Sequence, residues 1–202
     1  MMTKGRLEAF SDGVIAIAAT LLVLNLKVPP AGGRSLGHEL AQQWPSYAAY
    51  ATSFLTIGII WTNHHRTIER LRLVDQSVMI INLLLLMCVG ILPWTTALLA
   101  EYLRRGSGQG LAAAIYAGSF LLMSLVFYAL QRHILFAREN LLHEHSRKLD
   151  RAKIATRSRR GLLPYAVAVA VAPVSAYLTL VICAALAVYY AIPSPTPTLP
   201  SA

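Results

Sequence analysis

The sequence predicts an all-α integral membrane protein, and both its composition and the placement of its apolar residues predict this class. Of its 202 residues, 56% are hydrophobic and only 13% are charged, and the mean hydropathy is +0.54. Soluble domains contain about 45–50% apolar and about 25% charged residues. Both departures favour a bilayer over water as the solvent, and the apolar residues are gathered into stretches long enough to cross one.

Five apolar stretches are candidate spans, since a helix needs about 20 residues to cross a bilayer. They are residues 10–28, 47–61, 78–100, 111–130 and 162–192. The last stretch is too long for one ordinary crossing, and Pro173 in its middle removes a backbone donor and interrupts a helix. The sequence therefore predicts two helices there, over 162–172 and 174–192, and six transmembrane helices in all. Five spans stay open as the alternative, because the first of these two helices is barely long enough to cross.

Lysine and arginine are concentrated on one side of the predicted membrane. With six spans and a cytoplasmic N-terminus, 14 of the 18 Lys and Arg residues fall on the cytoplasmic side and 4 on the outside. Cytoplasmic loops carry such an excess, so both termini are predicted to be cytoplasmic in a multi-pass protein of the cytoplasmic membrane. The net charge of +9 then reflects basic loops beside anionic membrane lipids, and no nucleic acid is expected as a partner.

The chain is predicted to form a single transmembrane domain over residues 1–192. Within it, the basic segment 132–160 is predicted to be a cytoplasmic helix with one apolar stripe and one charged face. Its leucines recur every seven residues, at Leu135, Leu142 and Leu149. The tail, 193–202, is rich in Pro, Ser and Thr and is predicted to be disordered.

The first apolar stretch opens with an R-x-x-x-F-S-D run, formed by Arg6, Phe10, Ser11 and Asp12. An ionisable residue at the start of an apolar helix is unfavourable unless it is paired, so Asp12 is a functional candidate. We expect it to face other helices of its own subunit, where it braces the first helix. Its candidate partners are Arg6, Asn82 and one of His64 or His65. The alternative is a carboxylate stabilised only by the dipole of its own helix.

Two further runs complete the pattern: I-G-I-I-W-T-N-H-H over 57–65, and Asp75 followed by N-L-L-L-L over 82–86 and L-P-W-T over 92–95. Together with the R-x-x-x-F-S-D run, they resemble the TMEM175 family of potassium channels. The resemblance is sharp over about the first half of the chain, and in the second half it extends only to hydropathy and to the basic loop.

This resemblance implies a fold of one six-helix unit, four copies of which surround a central pore. It implies a homotetramer that passes monovalent cations, uses no cofactor and is not an enzyme. The first helix lines the pore, with Ile17 at the narrowest ring and Leu21 and Leu24 next. Their spacing of i, i+4 and i+7 places the three on one helix face. Thr20 lies beside them and contributes to selectivity in the family, while its hydroxyl is expected either to face the axis or to bond a carbonyl of its own helix.

A ring of four Ile17 side chains offers no ligand to replace the water around an ion, and the T-V-G-Y-G filter of ordinary potassium channels does not occur in this sequence. The implied mechanism is gating by dewetting of a hydrophobic constriction, with a weak preference for potassium, which loses water more easily than sodium. From composition alone, these aliphatic residues would instead face lipid or the core of the bundle.

The rival hypothesis is a secondary ion transporter or proton-coupled exchanger that uses Asp12 as the carrier. Transporters often contain internal repeats and charges near the membrane midplane, whereas Asp12 lies near one end of its span and no repeat is visible. No metal site is predicted, because His64 and His65 are adjacent and lack the i, i+4 spacing of a helical metal-binding pair.

Overall fold

The structure, a computed structural model, describes residues 3–29, 35–136 and 161–192. The elements in those ranges are helices, which confirms the all-α prediction for the described part of the chain. They are α1 (Lys4–Leu21), which continues as a 3₁₀ turn (Leu22–Asn25), α2 (Leu36–Gln42), α3 (Trp44–Glu69), α4 (Gln76–Gly90), α5 (Leu92–Arg105), α6 (Gln109–Phe136), α7 (Leu162–Val171) and α8 (Ala176–Ala191).

Three of the helical stretches are long and apolar enough to cross a bilayer, judged by length and composition. They are Lys4–Asn25, Gln76–Arg105 and Gln109–Phe136. The second consists of α4 and α5, which are separated only at Ile91, two residues before Pro93. Helices α7 and α8 are apolar but shorter, and α3 has 26 residues with a polar run near its C-terminus.

The interruption predicted at Pro173 is present. Helix α7 ends at Val171 and α8 begins at Ala176, because proline has no backbone N–H to continue the helical ladder. Ser175 then caps α8, since its Oγ accepts a hydrogen bond of 3.2 Å from the backbone N–H of Leu178. The long C-terminal apolar stretch is therefore two helices joined by a short bend.

Helix α6 lies at the centre of the bundle, where it packs against α4, α5, α7 and α8. Its Tyr116 and Phe120 are fully buried, with ring centroids 4.7 Å apart in an edge-on arrangement. Phe120 also contacts Tyr165 of α7 edge-on, at 5.8 Å between centroids. Helix α1 packs at the edge of this bundle against α3, α4 and α5, so a single chain covers only one side of it.

Two of the predicted segments fall mainly outside the described residues. Helix α6 runs to Phe136, past the predicted end of its span at residue 130. The remainder of the predicted basic helix, 137–160, lies outside the described part of the chain, as does the tail predicted to be disordered, 193–202. The number of spans and their orientation stay predictions.

Candidate pore helix and its polar anchors

Helix α1 has one buried face and one open face, and the two differ in their neighbours rather than in their hydrophobicity. The buried side chains recur at helical spacing and are Leu7, Ser11, Ile15, Ala18 and, in the 3₁₀ turn, Leu22. On the other side Phe10, Ile17, Leu21 and Leu24 are exposed. Because the open face is a continuous apolar stripe, it requires lipid or another protein surface to cover it.

The three aliphatic residues expected to line a pore all lie on this open face. Ile17 is 60% exposed, Leu21 42% and Leu24 72%, so each projects away from its own subunit. Leu24 lies in the 3₁₀ turn that continues α1. It is one turn beyond Leu21 and extends the exposed stripe by one more layer.

Thr20 lies on the same exposed side, and its hydroxyl bonds within its own helix. Its Oγ1 donates a hydrogen bond of 2.9 Å to the backbone carbonyl of Ile17. The sequence left two orientations open for this hydroxyl, facing the pore axis or bonding a carbonyl of its own helix, and the structure has the second. Since the hydroxyl proton is used there, the lone pairs of Oγ1 stay available as acceptors.

A chain of buried hydrogen bonds fixes the other face of α1 to α3 and α4. Ser11 Oγ donates to the Leu7 carbonyl at 2.8 Å, and Asn82 Nδ2 donates to Ser11 Oγ at 2.9 Å. The Nε2 of His64 lies 2.7 Å from Asn82 Oδ1. Because a carboxamide oxygen can only accept, His64 Nε2 carries the proton and donates. Ser11, Asn82 and His64 are all buried, so these bonds form in the interior, where an unmade bond is expensive.

The hydrogen-bond partner of Asp12 is not among the predicted candidates, which are Arg6, Asn82 and one of His64 or His65. Its Oδ1 accepts a hydrogen bond of 2.9 Å from the indole Nε1 of Trp61 on α3. Successive residues of a helix point about 100° apart, so Ser11 faces α4 and reaches Asn82, whereas Asp12 faces α3. Arg6 and Phe10 are exposed and take no part in these bonds.

The two adjacent histidines diverge, as the helical geometry predicts. His64 is buried in the hydrogen-bond chain, whereas His65 is partly exposed and lies between two glutamates. Its Nδ1 is 3.0 Å from Glu8 Oε1 of α1, and its Nε2 is 3.3 Å from Glu69 Oε1 on its own helix. Over residues 3–29, 35–136 and 161–192, no group of three or more His, Cys, Asp and Glu residues could hold a metal ion.

The comparisons with known proteins identify the family. A family model described as the endosomal/lysosomal potassium channel TMEM175 matches residues 6–93, which include the whole hydrogen-bond chain on α1, α3 and α4. A protein of Streptomyces collinus described as a potassium channel is 48% identical over 97% of each chain. The chain belongs to the TMEM175 family.

The fold agrees with this assignment. The crystal structure of a TMEM175 homolog from Chamaesiphon minutus, described as a lysosomal potassium-selective channel homolog, matches with a TM-score of 0.83 and 41% identity. The match covers 93% of this chain and 96% of that one. Chicken TMEM175, described as an endosomal/lysosomal proton channel, is 32% identical over 72% of this chain, which covers 31% of its length. The TMEM175 family is a family of ion channels rather than enzymes, and this chain is a membrane protein.

A second set of contacts, which sequence reasoning missed, ties the far end of α1 to α5 in this TMEM175 chain. Asn25 Nδ2 donates a hydrogen bond of 2.9 Å to the Pro93 carbonyl. Two residues later, Lys27 Nζ lies 3.1 Å from Glu101 Oε2. Glu101 also pairs with Arg104 and, at 2.9 Å, with Nε of Arg105. The available signal was a single acidic residue followed three and four positions later by arginines, a spacing that pairs charges on a helix.

Proposed function

We propose that this TMEM175 chain is a potassium-permeable cation channel subunit of the cell membrane, and that four copies surround a pore lined by α1. The observation that carries the proposal is the contrast between the two faces of α1. One face is fixed to the bundle by hydrogen bonds of Ser11 and Asp12, and the other exposes Ile17, Leu21 and Leu24. A rigidly held helix with an uncovered stripe is what a ring of identical helices around an axis requires.

The proposed topology has six spans, formed by α1, α3, the continuous pair α4 and α5, α6, α7 and α8. Both termini lie in the cytoplasm, because this arrangement places 14 of the 18 Lys and Arg residues on that side. The bend at Pro173 supports counting α7 and α8 separately. The outer anchor, formed by Asn25, Lys27 and Glu101, then lies at the outward end of the pore helix.

The proposed gate is hydrophobic. Four Ile17 side chains form the narrowest ring, which excludes water when it is narrow and passes partly hydrated ions when it widens. Potassium holds its water less tightly than sodium, so the constriction favours potassium weakly. The acceptor lone pairs of Thr20 Oγ1, which are left by its bond to the Ile17 carbonyl, offer a weak additional ligand one helical turn beyond the ring.

The experiment that tests this function is a single-channel recording of the purified protein in planar bilayers, with potassium on one side and sodium on the other. We expect discrete current steps whose reversal potential lies on the potassium side of zero. If no steps occur, and liposomes take up the ion slowly with saturation at high concentration, the chain is a secondary transporter and Asp12 becomes the carrier to test. The bond from Trp61 to Asp12 favours the channel, because it holds the Asp12 carboxylate against α3 and away from the open stripe of α1.

A further inference from the structure

A second candidate site is a cavity on another face of α3. A cavity of about 620 Å³ lies between α3, α6, α7 and α8, a volume within the range of about 300–1,000 Å³ that is typical of ligand sites. Along α3 it extends from Phe54 to Arg70, which is about 24 Å at 1.5 Å per residue. None of the residues that line it belongs to α1, so the cavity is separate from the proposed pore.

The two ends of the cavity differ in chemistry. One end is apolar, with Phe54, Leu55 and Ile59 of α3 facing Met123 and Phe127 of α6. At the other end, the wall contains Arg66 and Arg70, together with polar side chains of α3 and α6 such as Thr67 and Gln131, which are hydrogen-bonded to each other at 3.3 Å. The cavity is therefore amphipathic along its length, with cationic groups at one end only.

Within the described residues, no carboxylate forms an ion pair with the arginines at this end. Arg66 and Arg70 are one helical turn apart, a spacing at which like charges repel. Among the described residues, neither forms an ion pair, and no Asp or Glu lines the cavity. The Nη1 of Arg70 is withdrawn from water and has no hydrogen-bond partner in the described part of the chain. The C-terminal dipole of α3 favours cations here, but it supplies no acceptor for that nitrogen.

We propose that this cavity binds an anionic phospholipid, with the phosphate held by Arg66 and Arg70 and an acyl chain against the apolar end. Guanidinium groups match phosphate oxygens in charge and in fork geometry, so a phosphate in the cavity can accept hydrogen bonds from the side chains of Arg66 and Arg70. The apolar end selects a lipid over a soluble phosphate. In the proposed topology the two arginines face the cytoplasmic leaflet, where anionic lipids are enriched.

The test measures lipid binding rather than current, so its outcome is independent of whether the chain conducts ions. The full-length protein is placed in nanodiscs of phosphatidylglycerol and phosphatidylcholine, and the lipids that stay bound after extraction are counted by native mass spectrometry. The variants are Arg66→Gln, Arg70→Gln and the double substitution. The matched control is Arg72→Gln. Arg72 follows α3 closely in sequence and is exposed, but it does not line the cavity.

We expect wild type and Arg72→Gln to retain phosphatidylglycerol, and the double variant to retain about tenfold less, since charged hydrogen bonds are lost. Phosphatidylglycerol should also raise the unfolding temperature of wild type but not of the double variant. Arg66 is exposed, so Arg66→Gln is expected to fold and to bind less lipid on its own. Equal retention in all variants would overturn the proposal. Equal stabilisation by phosphatidylcholine would also overturn it, because the site would then not select an anionic lipid. Equal stabilisation by glycerol phosphate in solution would overturn it as well, because the site would then bind phosphate without an acyl chain.

Discussion

Asn82 of α4 donates a hydrogen bond of 2.9 Å to Oγ of Ser11 on α1, and both residues are fully buried. The same carboxamide accepts from His64 of α3 at 2.7 Å, so one side chain joins three helices. Because every member of the chain has a consistent donor or acceptor role, the network specifies a single position of α1 relative to the bundle. The same hydrogen bonds therefore also fix the direction in which the open face of α1 points.

Replacing Asn82 by Ala should destabilise the protein by about 1–3 kcal/mol, because it leaves buried groups of Ser11 and His64 without partners. Thermal unfolding of the purified protein in detergent measures the effect. Asn63→Ala is the matched control, since Asn63 is only partly buried and its side chain forms no hydrogen bond within the described residues. Equal losses in the two variants would mean that the network does not stabilise the fold.

The bond between Asp12 and Trp61 should appear as coupling in a double-mutant cycle. Asp12→Asn weakens the acceptor and Trp61→Phe removes the donor, so each is expected to lower stability and the double variant to lower it by less than the sum. We expect a coupling energy of about 0.5–1.5 kcal/mol, because the bond is charge-assisted but partly exposed. Trp94→Phe is the control, since Trp94 is comparably exposed and makes no hydrogen bond in the described chain. Strict additivity would exclude a direct interaction.

The sequence predicts the helices of this protein better than it predicts which side chains meet. Long apolar stretches predict where helices lie in the described part of the chain, and the proline rule predicts the bend at Pro173. The R-x-x-x-F-S-D motif marks both Ser11 and Asp12 as functional candidates, but it does not indicate their partners. The direction of each side chain on α1 determines that Ser11 reaches Asn82 and that Asp12 reaches Trp61. Hydropathy also underestimates α3, which extends from Trp44 to Glu69, because polar residues past the apolar stretch still form helix.

Contacts between distant parts of the chain carry no local signal at all. The bond from Asn25 to the Pro93 carbonyl joins residues 68 apart in sequence. Neither residue has a charge or a periodic spacing that indicates the other, and the contact depends on how α1 packs against the start of α5. The sequence therefore does not predict the outer anchor, although the spacing of Glu101, Arg104 and Arg105 indicates a local charge cluster.

Loosening the outer anchor should change gating without abolishing conduction. Glu101→Gln removes the carboxylate that binds Lys27, Arg104 and Arg105. Arg104 and Arg105 lie on the same helix as Glu101, so only the pair with Lys27 joins α5 to the end of the pore helix. An exposed ion pair contributes about 0–1 kcal/mol, so the open-to-closed ratio should shift by roughly fivefold at most. Single-channel open probability in low and high salt measures this, and the wild-type protein in high salt should resemble the variant because salt screens the same pairs.

Glu39→Gln on α2 controls for the general loss of a negative charge, since Glu39 has no ion pair within the described residues. If it alters open probability as much as Glu101→Gln does, the effect is one of net charge rather than of the anchor.

The hydrophobic gate makes the sharpest prediction, which is that Ile17→Asn raises sodium permeation relative to potassium. Four amides at the narrowest ring would hold water in the constriction, so the dewetting barrier that separates the two ions would fall. Reversal potentials under bi-ionic potassium and sodium measure the ratio, which should move toward unity while the total current rises. The matched control is Ile80→Asn on α4, where an isoleucine is also exposed, at 48% against 60% for Ile17. Because Ile80 lies off α1, the same substitution there should leave the ratio unchanged. A wild-type ratio in Ile17→Asn would show that the filter lies elsewhere on the open face, and Leu21 and Leu24 would then be substituted in the same way.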